Sequence, residues 1–262
     1  MNRTRIYPDP ELFPPFIRSL LLSVPVYDSS SSPEARVYFI DSGEGCYLKS
    51  TSAGALAKEA DMTRYMHRKG LGAEVLAYLS GERDWLLTAR LPGEDCTHPA
   101  CLENPRLLCD KMAEALRLLH DADFAGCPVP NRTADYLEAV QKGYLCGRFD
   151  LSLFPPDNMG FSSPDEAWAF VLEHRESFEA DTLIHGDYCL PNIILKDGKL
   201  SGFIDLGCGG VGDRHIDLFW GAWTLFFNLK TDRYRERFFD AYGRDRIDPD
   251  RIRAVAAAEL FL

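Results

Sequence analysis

The sequence predicts an α+β protein whose strands lie mainly in its first third and whose helices lie mainly in the rest. Short apolar segments bounded by Gly, Ser, Pro or charged residues are typical of strands, and three occur early, at residues 35–41, 45–49 and 85–89. Pro92 and Gly93 then interrupt the pattern, and helical periodicity dominates beyond them. We therefore expect an N-terminal lobe over residues 1–89 and a larger, mainly helical lobe over residues 90–262.

The main helix of the N-terminal lobe is predicted over residues 54–69. Ala55, Met62 and Met66 recur on one helical stripe, and Glu59 lies on the same stripe, one turn after Ala55. A carboxylate on the inward face of a helix is unfavourable to bury without a partner. The pattern therefore predicts a partner for Glu59.

The C-terminal lobe shows several helical patterns separated by a polar loop. Pro105 opens the first, whose apolar residues share one face, namely Leu108, Met112, Ala115 and Leu119. Residues 154–164 are rich in Pro, Gly, Ser and Asn, which predicts a loop, and a second helix is expected over residues 165–177. Two or three more helices are expected over residues 213–262.

Between these helices lies a predicted β-hairpin. Apolar residues 193–195 and 200–204 flank Asp197 and Gly198, and an Asp-Gly pair between two apolar runs is typical of a type I′ turn. The hairpin therefore places the polar residues before its first strand close to those after its second strand.

Those polar residues have the spacing of a phosphoryl-transfer site. His185, Asp187 and Asn192 form the pattern H-x-D-x-x-x-x-N, and Asp205 follows the second strand. Phosphoryl transfer needs one group that orients the acceptor hydroxyl and oxygen ligands for magnesium ions on the phosphates. Asp187 suits the first task, and Asn192 with Asp205 suits the second. The pattern is close to the catalytic loop of kinases and the metal-binding Asp that follows it, although Leu206 stands where Phe is usual.

A kinase also requires a lysine on an early strand and a helix glutamate that holds it. Lys49 ends the strand predicted over residues 45–49, and Glu59 is the inward carboxylate of the following helix. An ion pair between them would present the ammonium to nucleotide phosphates and would explain the burial of Glu59.

Each residue also has a purely structural interpretation. Lys49 alone would be a solvated lysine, Glu59 a residue at the edge of the helix stripe, His185 a packing histidine, and Asn192 and Asp205 turn residues. We keep the packing role for His185. The order, spacing and structural context of the whole set favour the kinase interpretation.

Two other site types fit less well. A Walker phosphate loop requires Gly before the lysine, whereas Leu48 precedes Lys49. A metal site made of His185, Asp187 and Cys189 lacks a second Cys/His cluster.

Charge and cysteine usage restrict partners and location. The 40 acidic and 29 basic side chains give a formal charge of −11, which disfavours nucleic acid and anionic membranes and favours a polycationic partner. The apolar stretch over residues 16–26 contains Arg18 and is shorter than the roughly 20 residues that span a bilayer. Eight dispersed cysteines without a Cys-x-x-Cys pair or an export signal predict thiols and a cytoplasmic location.

The motifs resemble those of the aminoglycoside 3′-phosphotransferases, bacterial antibiotic kinases with a protein-kinase-like fold. The resemblance lies in four segments: YLK (47–49), HGDYCLPNIIL (185–195), DGKLSGFIDLG (197–207) and GDRHID (212–217). It implies a two-lobed α+β fold, with a five-stranded antiparallel sheet and one main helix in the N-terminal lobe and a mainly helical C-terminal lobe.

The resemblance implies that ATP lies between the lobes. Tyr47 would then stack on adenine, Lys49 would meet the α- and β-phosphates, Glu59 would hold Lys49, and backbone groups of Ala89 and Leu91 would bind the base. Asn192 and Asp205 would hold two Mg²⁺ ions, Asp187 would serve the acceptor hydroxyl, and the serine-rich loop at residues 28–36 would cover the phosphates.

For the second substrate, the resemblance implies an acidic cleft in the C-terminal lobe. Glu259 shares a stripe of the last helix with Ile252 and Val255, so it faces inward or into the cleft. Asp150, Asp157 and the terminal carboxylate of Leu262 are further candidates for binding ammonium groups.

The sequence departs from the family at Cys208, where Arg is common, and at Ala258, where a second acid is common.

We therefore expect an ATP- and Mg²⁺-dependent kinase that phosphorylates the 3′-hydroxyl of an aminoglycoside and confers antibiotic resistance, acting as a monomer or weak dimer without nucleic acid or membrane. One alternative is a kinase of another small cationic alcohol, such as choline, or of a different antibiotic. The other is a non-catalytic nucleotide-binding protein, which should lack at least one of Lys49, Asp187, Asn192 and Asp205; the chain has all four.

Overall fold

The computed structural model describes residues 3–21, 24–32, 34–151 and 160–262. The chain forms two compact units. The first unit comprises Met1–Pro99 and Pro191–Gly207, and the second comprises Ala100–Leu190 and Cys208–Leu262. The segment of the predicted hairpin thus belongs to the first unit, whereas the sequence assigned it to the lobe over residues 90–262; the predicted lobe boundary stays a prediction.

An antiparallel sheet forms the centre of the first unit. Within the described residues it has six strands, β1 (Arg3–Ile6), β2 (Val26–Ser29), β3 (Arg36–Ile40), β4 (Cys46–Ser52), β5 (Val75–Ser80) and β6 (Arg83–Ala89). Their order is β1-β2-β3-β4-β6-β5. The sequence pattern located β3, β4 and β6, and the family resemblance implied five strands in all, so the sixth strand differs from that expectation.

Helices cover both faces of this sheet. Successive side chains of a strand point to opposite faces, so Leu87 packs with Ile17 of α1 (Pro15–Leu21), while Leu86 packs with Ala60 of α2 (Ala57–Arg68). The predicted helix over residues 54–69 is confirmed as α2, which places Glu59 in the first turn.

The hairpin joins a second, smaller sheet. The remaining strands are β7 (Glu94–Asp95), β8 (Thr182–Ile184), β9 (Ile193–Lys196), β10 (Lys199–Phe203) and β11 (Gly210–Gly212). The order β10-β9-β7 ties the hairpin to the first unit, and the Phe203 amide donates to the Leu71 carbonyl at 2.8 Å. Asp197 and Gly198 have φ values of 51° and 72°, which confirms the predicted type I′ turn.

The second unit is mainly helical. Its helices include α4 (Pro105–His120), α5 (Arg132–Leu145), α6 (Pro164–His174), α7 (Arg214–Leu229), α8 (Arg235–Tyr242) and α9 (Pro249–Glu259), and the short α3 (Pro99–Leu102) precedes them. Side chains of Asn104, Asn131, Ser163, Asp213 and Asp248 cap α4, α5, α6, α7 and α9. Among the residues that the structure describes, no helix is long and apolar enough to cross a membrane.

Candidate active site

A cavity of about 630 Å³ opens in the first unit. The sequence-predicted nucleotide and metal residues all line it: Tyr47, Lys49, Glu59, Ala89, Leu91, Asn192 and Asp205. Apolar side chains such as Leu86, Ile194 and Phe203 line the same cavity. A pocket with apolar walls and a few convergent polar groups is typical of a small-molecule site.

Lys49 lies between two carboxylates. Its Nζ is 3.0 and 2.9 Å from the Glu59 carboxylate oxygens and 3.0 Å from Asp205 Oδ1. Burial alone would lower the pKa of Lys49, but the charges of Asp205 and Glu59 outweigh it and raise the pKa above its ordinary value. The lysine is therefore charged at every physiological pH, and the predicted pairing of Lys49 with Glu59 is present.

The strand period explains the placement of Lys49. Tyr47 and Lys49 are two residues apart on β4 and both line the cavity, while Leu48 between them points into the core on the other face. The helix period of α2 directs Glu59, which is 8% exposed, toward the same lysine. Two local periodicities thus bring together groups that are ten residues apart.

Asn192 and Asp205 lie at adjoining ends of the hairpin strands. The Ile204 amide donates to the Asn192 carbonyl at 3.1 Å, and Ile193 pairs with Phe203 in the ladder. Asn192 is buried, whereas the Asp205 side chain is half exposed. Asp205 has a φ of 56°, in the left-handed region that Asp and Asn tolerate better than most residues.

The donor set of this site fits a hard divalent cation. Amide and carboxylate oxygens are the ligands that Mg²⁺ takes from proteins, and Mg²⁺ in nucleotide sites usually has only one or two protein ligands, with phosphate and water supplying the rest. In the described part of the chain, no group of three or more His, Cys, Asp or Glu side chains is arranged to hold a metal. The Asn192 amide oxygen and the Asp205 carboxylate are thus of the chemical type that a nucleotide-bound Mg²⁺ takes from a protein.

Asp187 belongs to the second unit, in the loop after β8. Its amide donates to His185 Nδ1 at 3.2 Å, and its carbonyl accepts from the Cys189 amide at 2.8 Å. Gly186 has a φ of 78°, and a Cβ there would lie 2.0 Å from the Cys208 carbonyl oxygen. Only glycine fits this position, so the backbone of the loop is closely restrained.

Asp217, the last residue of the GDRHID segment, restrains the same loop, although no role was predicted for it from the sequence. It is fully buried on α7 and accepts hydrogen bonds from the amides of His185 and Gly186, both at 2.7 Å. His120 Nε2 is 3.1 Å from it. The available signal was a carboxylate within the apolar run of α7, because a buried acid there must be bonded to something.

The second unit also contains the candidate residues for the other substrate. Glu259 is 5% exposed and accepts from the Tyr136 hydroxyl at 2.9 Å and from Trp220 Nε1 at 3.2 Å. The Asp150 amide donates to the Leu260 carbonyl at 2.9 Å, so Asp150 lies beside the C-terminal segment, where Leu262 is exposed. Asp157 lies outside the described residues.

The environment of Glu259 raises its pKa. Burial is the main cause; the hydrogen bonds from Tyr136 and Trp220 oppose it, the charge of Asp187 adds to it, and the pKa reaches about 7. The negative charge of Asp187 thus also disfavours the ionised form of Glu259.

This pKa predicts a pH-dependent stability. Between pH 4.5 and 7 the folded chain keeps a proton on Glu259 that the unfolded chain has released, so stability falls as the pH rises through this window. As the pH rises over this range, we expect the free energy of unfolding of the wild type to decrease by about 3 kcal/mol more than that of Glu259→Gln. Glutamine keeps the acceptor oxygen but has no group that titrates. Urea unfolding at several pH values measures this difference, and parallel curves would show that Glu259 has an ordinary pKa.

Comparisons with known proteins agree on one family. Residues 30–255 match the model of the phosphotransferase enzyme family. A probable aminoglycoside 3′-phosphotransferase of Lactococcus lactis subsp. lactis (strain IL1403) is 48% identical over 252 residues, covering 96% of this chain and 95% of that protein. The streptomycin 3″-kinase of Streptomyces griseus is 31% identical over 225 residues, covering 79% of each chain.

Solved structures show the same fold. The aminoglycoside phosphotransferase APH(3″)-Id from Streptomyces rimosus ATCC10970 superposes with a TM-score of 0.69 at 24% identity, over 87% of this chain and 89% of that chain. Its complex with ADP and streptomycin gives a TM-score of 0.68 at 22% identity, over 86% and 90% of the two chains. The predicted α+β, protein-kinase-like fold is thereby confirmed.

Proposed function

This chain belongs to the phosphotransferase enzyme family and, within it, to the aminoglycoside 3′-phosphotransferases, and we propose that it transfers the γ-phosphoryl group of ATP to the 3′-hydroxyl of aminoglycoside antibiotics and so confers resistance to them. The observation that carries the proposal is the group of Lys49, Glu59 and Asp205 in one cavity with Asn192. The ADP and streptomycin in the related structure are consistent with both substrates.

The cavity of the first unit binds the nucleotide. Tyr47 forms an aromatic wall for the base, and Lys49 meets the phosphates. The amides of Ala89 and Arg90 donate to the carbonyls of Glu74 and Gly45, at 2.9 and 3.2 Å, so they are engaged within the sheet. We therefore propose that the Leu91 amide donates the hydrogen bond to the base. Ala89 would line the cavity beside the base.

Asn192 and Asp205 hold the magnesium ions of the nucleotide, and we expect two ions. When bound, Mg²⁺ neutralises charge on the phosphates. Asp205 orients its carboxylate through its left-handed backbone and its contact with Lys49, and Asn192 offers its side-chain oxygen from a buried position.

Asp187 orients the acceptor hydroxyl and accepts its proton as the oxygen attacks the γ-phosphorus of ATP, while the bond from that phosphorus to the bridging oxygen breaks and ADP leaves. The chemistry needs little more than correct placement and charge neutralisation, so a rigid loop is favourable. Asp217 supplies that rigidity through the amides of His185 and Gly186.

Carboxylates of the second unit bind the ammonium groups of the aminoglycoside. Glu259 and Asp150 are carboxylates that the structure describes, Asp157 completes the set of acids that we propose, and Leu262 would contact the substrate from the same segment. An ammonium next to Glu259 would favour its ionised form, and the net charge of −11 attracts polycations over longer distances.

The proposal is tested with the purified chain, Mg²⁺, ATP and kanamycin, by measuring ADP release and locating the phosphate by NMR. A matched aminoglycoside that lacks the 3′-hydroxyl should not be phosphorylated, and expression in a susceptible bacterium should raise the inhibitory concentration of kanamycin. Phosphorylation of streptomycin or choline with no turnover of kanamycin would contradict the proposed substrate and support the alternative of another cationic alcohol or antibiotic.

We also propose that the protein is cytoplasmic and acts as a monomer or weak dimer, without nucleic acid or membrane. Its eight cysteines, all in the described part of the chain, are thiols rather than disulfides. Light scattering after gel filtration measures the mass in solution.

A further inference from the structure

Arg3 of β1 lies against the wall of the nucleotide cavity. Its Nη2 donates to the Tyr47 hydroxyl at 2.6 Å, and its guanidinium carbon is 3.6 Å from the centre of the Phe39 ring. The Phe39 and Tyr47 rings are 5.1 Å apart. We call these three residues the Arg3 clamp.

The sheet order explains how the Arg3 clamp forms. Arg3 pairs with Ser29 of β2, and Phe39 of β3 pairs with Tyr47 of β4, so the long arginine side chain extends over the two inner strands. Space for the Phe39 ring depends on Gly45, because a Cβ there would lie 2.6 Å from Phe39 Cε2.

Arg3 differs from the other cationic residues of the cavity in the groups that it contacts. Within the described residues, the cationic side chains that line it are Arg3, Lys49 and Arg90. Lys49 pairs with Glu59 and Asp205, and Arg90 lies 3.9 Å from Glu94. The contacts found for Arg3 are with a hydroxyl and aromatic rings, which restrain the orientation of Tyr47.

We propose that Arg3 is a positioning residue for the nucleotide, which holds the Tyr47 ring in place as a flat wall for the base before ATP binds. The inference rests on the proposed nucleotide site and adds a residue to it. A ring that is already ordered loses less side-chain entropy when the ligand binds, so the affinity for ATP increases while the chemical step is unaffected.

The test compares Arg3→Gln, Arg3→Lys, Tyr47→Phe and the double variant Arg3→Gln/Tyr47→Phe. Arg5→Gln is the matched control, because Arg5 lies on the same strand but stacks over Tyr7, outside the cavity lining. The measurements are kcat, KM for ATP and for kanamycin, and the Kd of a non-hydrolysable ATP analogue with Mg²⁺ by calorimetry.

We expect Arg3→Gln to raise the KM for ATP and the Kd of the analogue about three- to tenfold, as the loss of one partly exposed polar and cation–π contact allows. Neither kcat nor the KM for kanamycin should change. Tyr47→Phe should have a similar effect. The double variant should bind the analogue as tightly as the single variant with the higher Kd, because both changes break the same contact. Arg3→Lys should not restore binding, and Arg5→Gln should behave as wild type.

Several results would overturn the inference: a Kd within twofold of wild type for Arg3→Gln, effects that multiply in the double variant, or full recovery in Arg3→Lys, which would mean that charge alone matters. The calorimetry needs no acceptor. Analogue binding without phosphorylation of kanamycin would therefore contradict the proposed acceptor and still test Arg3, whereas a wild-type chain that binds no nucleotide would overturn both.

Discussion

Asp187→Asn should lower kcat by about a thousandfold, in the range typical for loss of a general base. Asparagine has nearly the same shape but cannot accept the proton of the acceptor hydroxyl. Asp187 is outside the lining of the nucleotide cavity, so the Kd of an ATP analogue should stay within about twofold of wild type. Steady-state ADP release with kanamycin measures the first quantity, and calorimetry measures the second.

The matched control for this variant is Asp181→Asn, which makes the same change of charge in an exposed acid just before β8. It should keep the wild-type kcat. If Asp187→Asn retained more than a tenth of wild-type turnover, the acceptor proton would have to go to another group, and the proposed role of Asp187 would be wrong.

Asp205→Asn should reduce kcat about a hundredfold or more and raise the Mg²⁺ concentration needed for half-maximal rate, because metal ligation supplies several kcal/mol of charge stabilisation. Asparagine tolerates the left-handed backbone at this position, so the variant removes the charge without adding strain. Lys49 contacts the carboxylates of Glu59 and Asp205, so in this variant it would keep its ion pair with Glu59. Rate measurements over a series of free Mg²⁺ concentrations test the prediction.

Asp197→Asn is the matched control for Asp205→Asn. Asp197 lies at the turn of the same hairpin, with a φ of 51°, and asparagine is equally suited to a type I′ turn. Its Mg²⁺ dependence should be that of wild type. An Asp205→Asn enzyme with an unchanged Mg²⁺ requirement would remove Asp205 from the metal site.

The features that the sequence predicted well are those set by local periodicity. Strand alternation places Tyr47 and Lys49 on one face, helix periodicity turns Glu59 inward, and an Asp-Gly pair closes the hairpin that joins Asn192 to Asp205. Each of these features depends on residues a few positions apart, so it can be predicted from the sequence without knowledge of the fold.

Other features had no comparable signal. β1 has the burial pattern of an exposed edge strand without an apolar face, so its pairing with β2 and the position of Arg3 are not visible in the pattern. The hydrogen bonds that the amides of His185 and Gly186 donate to Asp217 join positions about 30 residues apart. Neither kind of contact leaves a periodic trace.

The sequence by itself determined the chemistry: which oxygen and nitrogen groups are available for phosphoryl transfer, and in what order they occur along the chain. The tertiary structure alone decided how those groups are held and tuned. It buried Glu259 against Tyr136 and Trp220, which raises the pKa of its carboxyl, and it brought Arg3 over the ring of Tyr47. The physical reason is that burial and hydrogen bonding between distant segments depend on how the whole chain packs, whereas residue type and spacing do not.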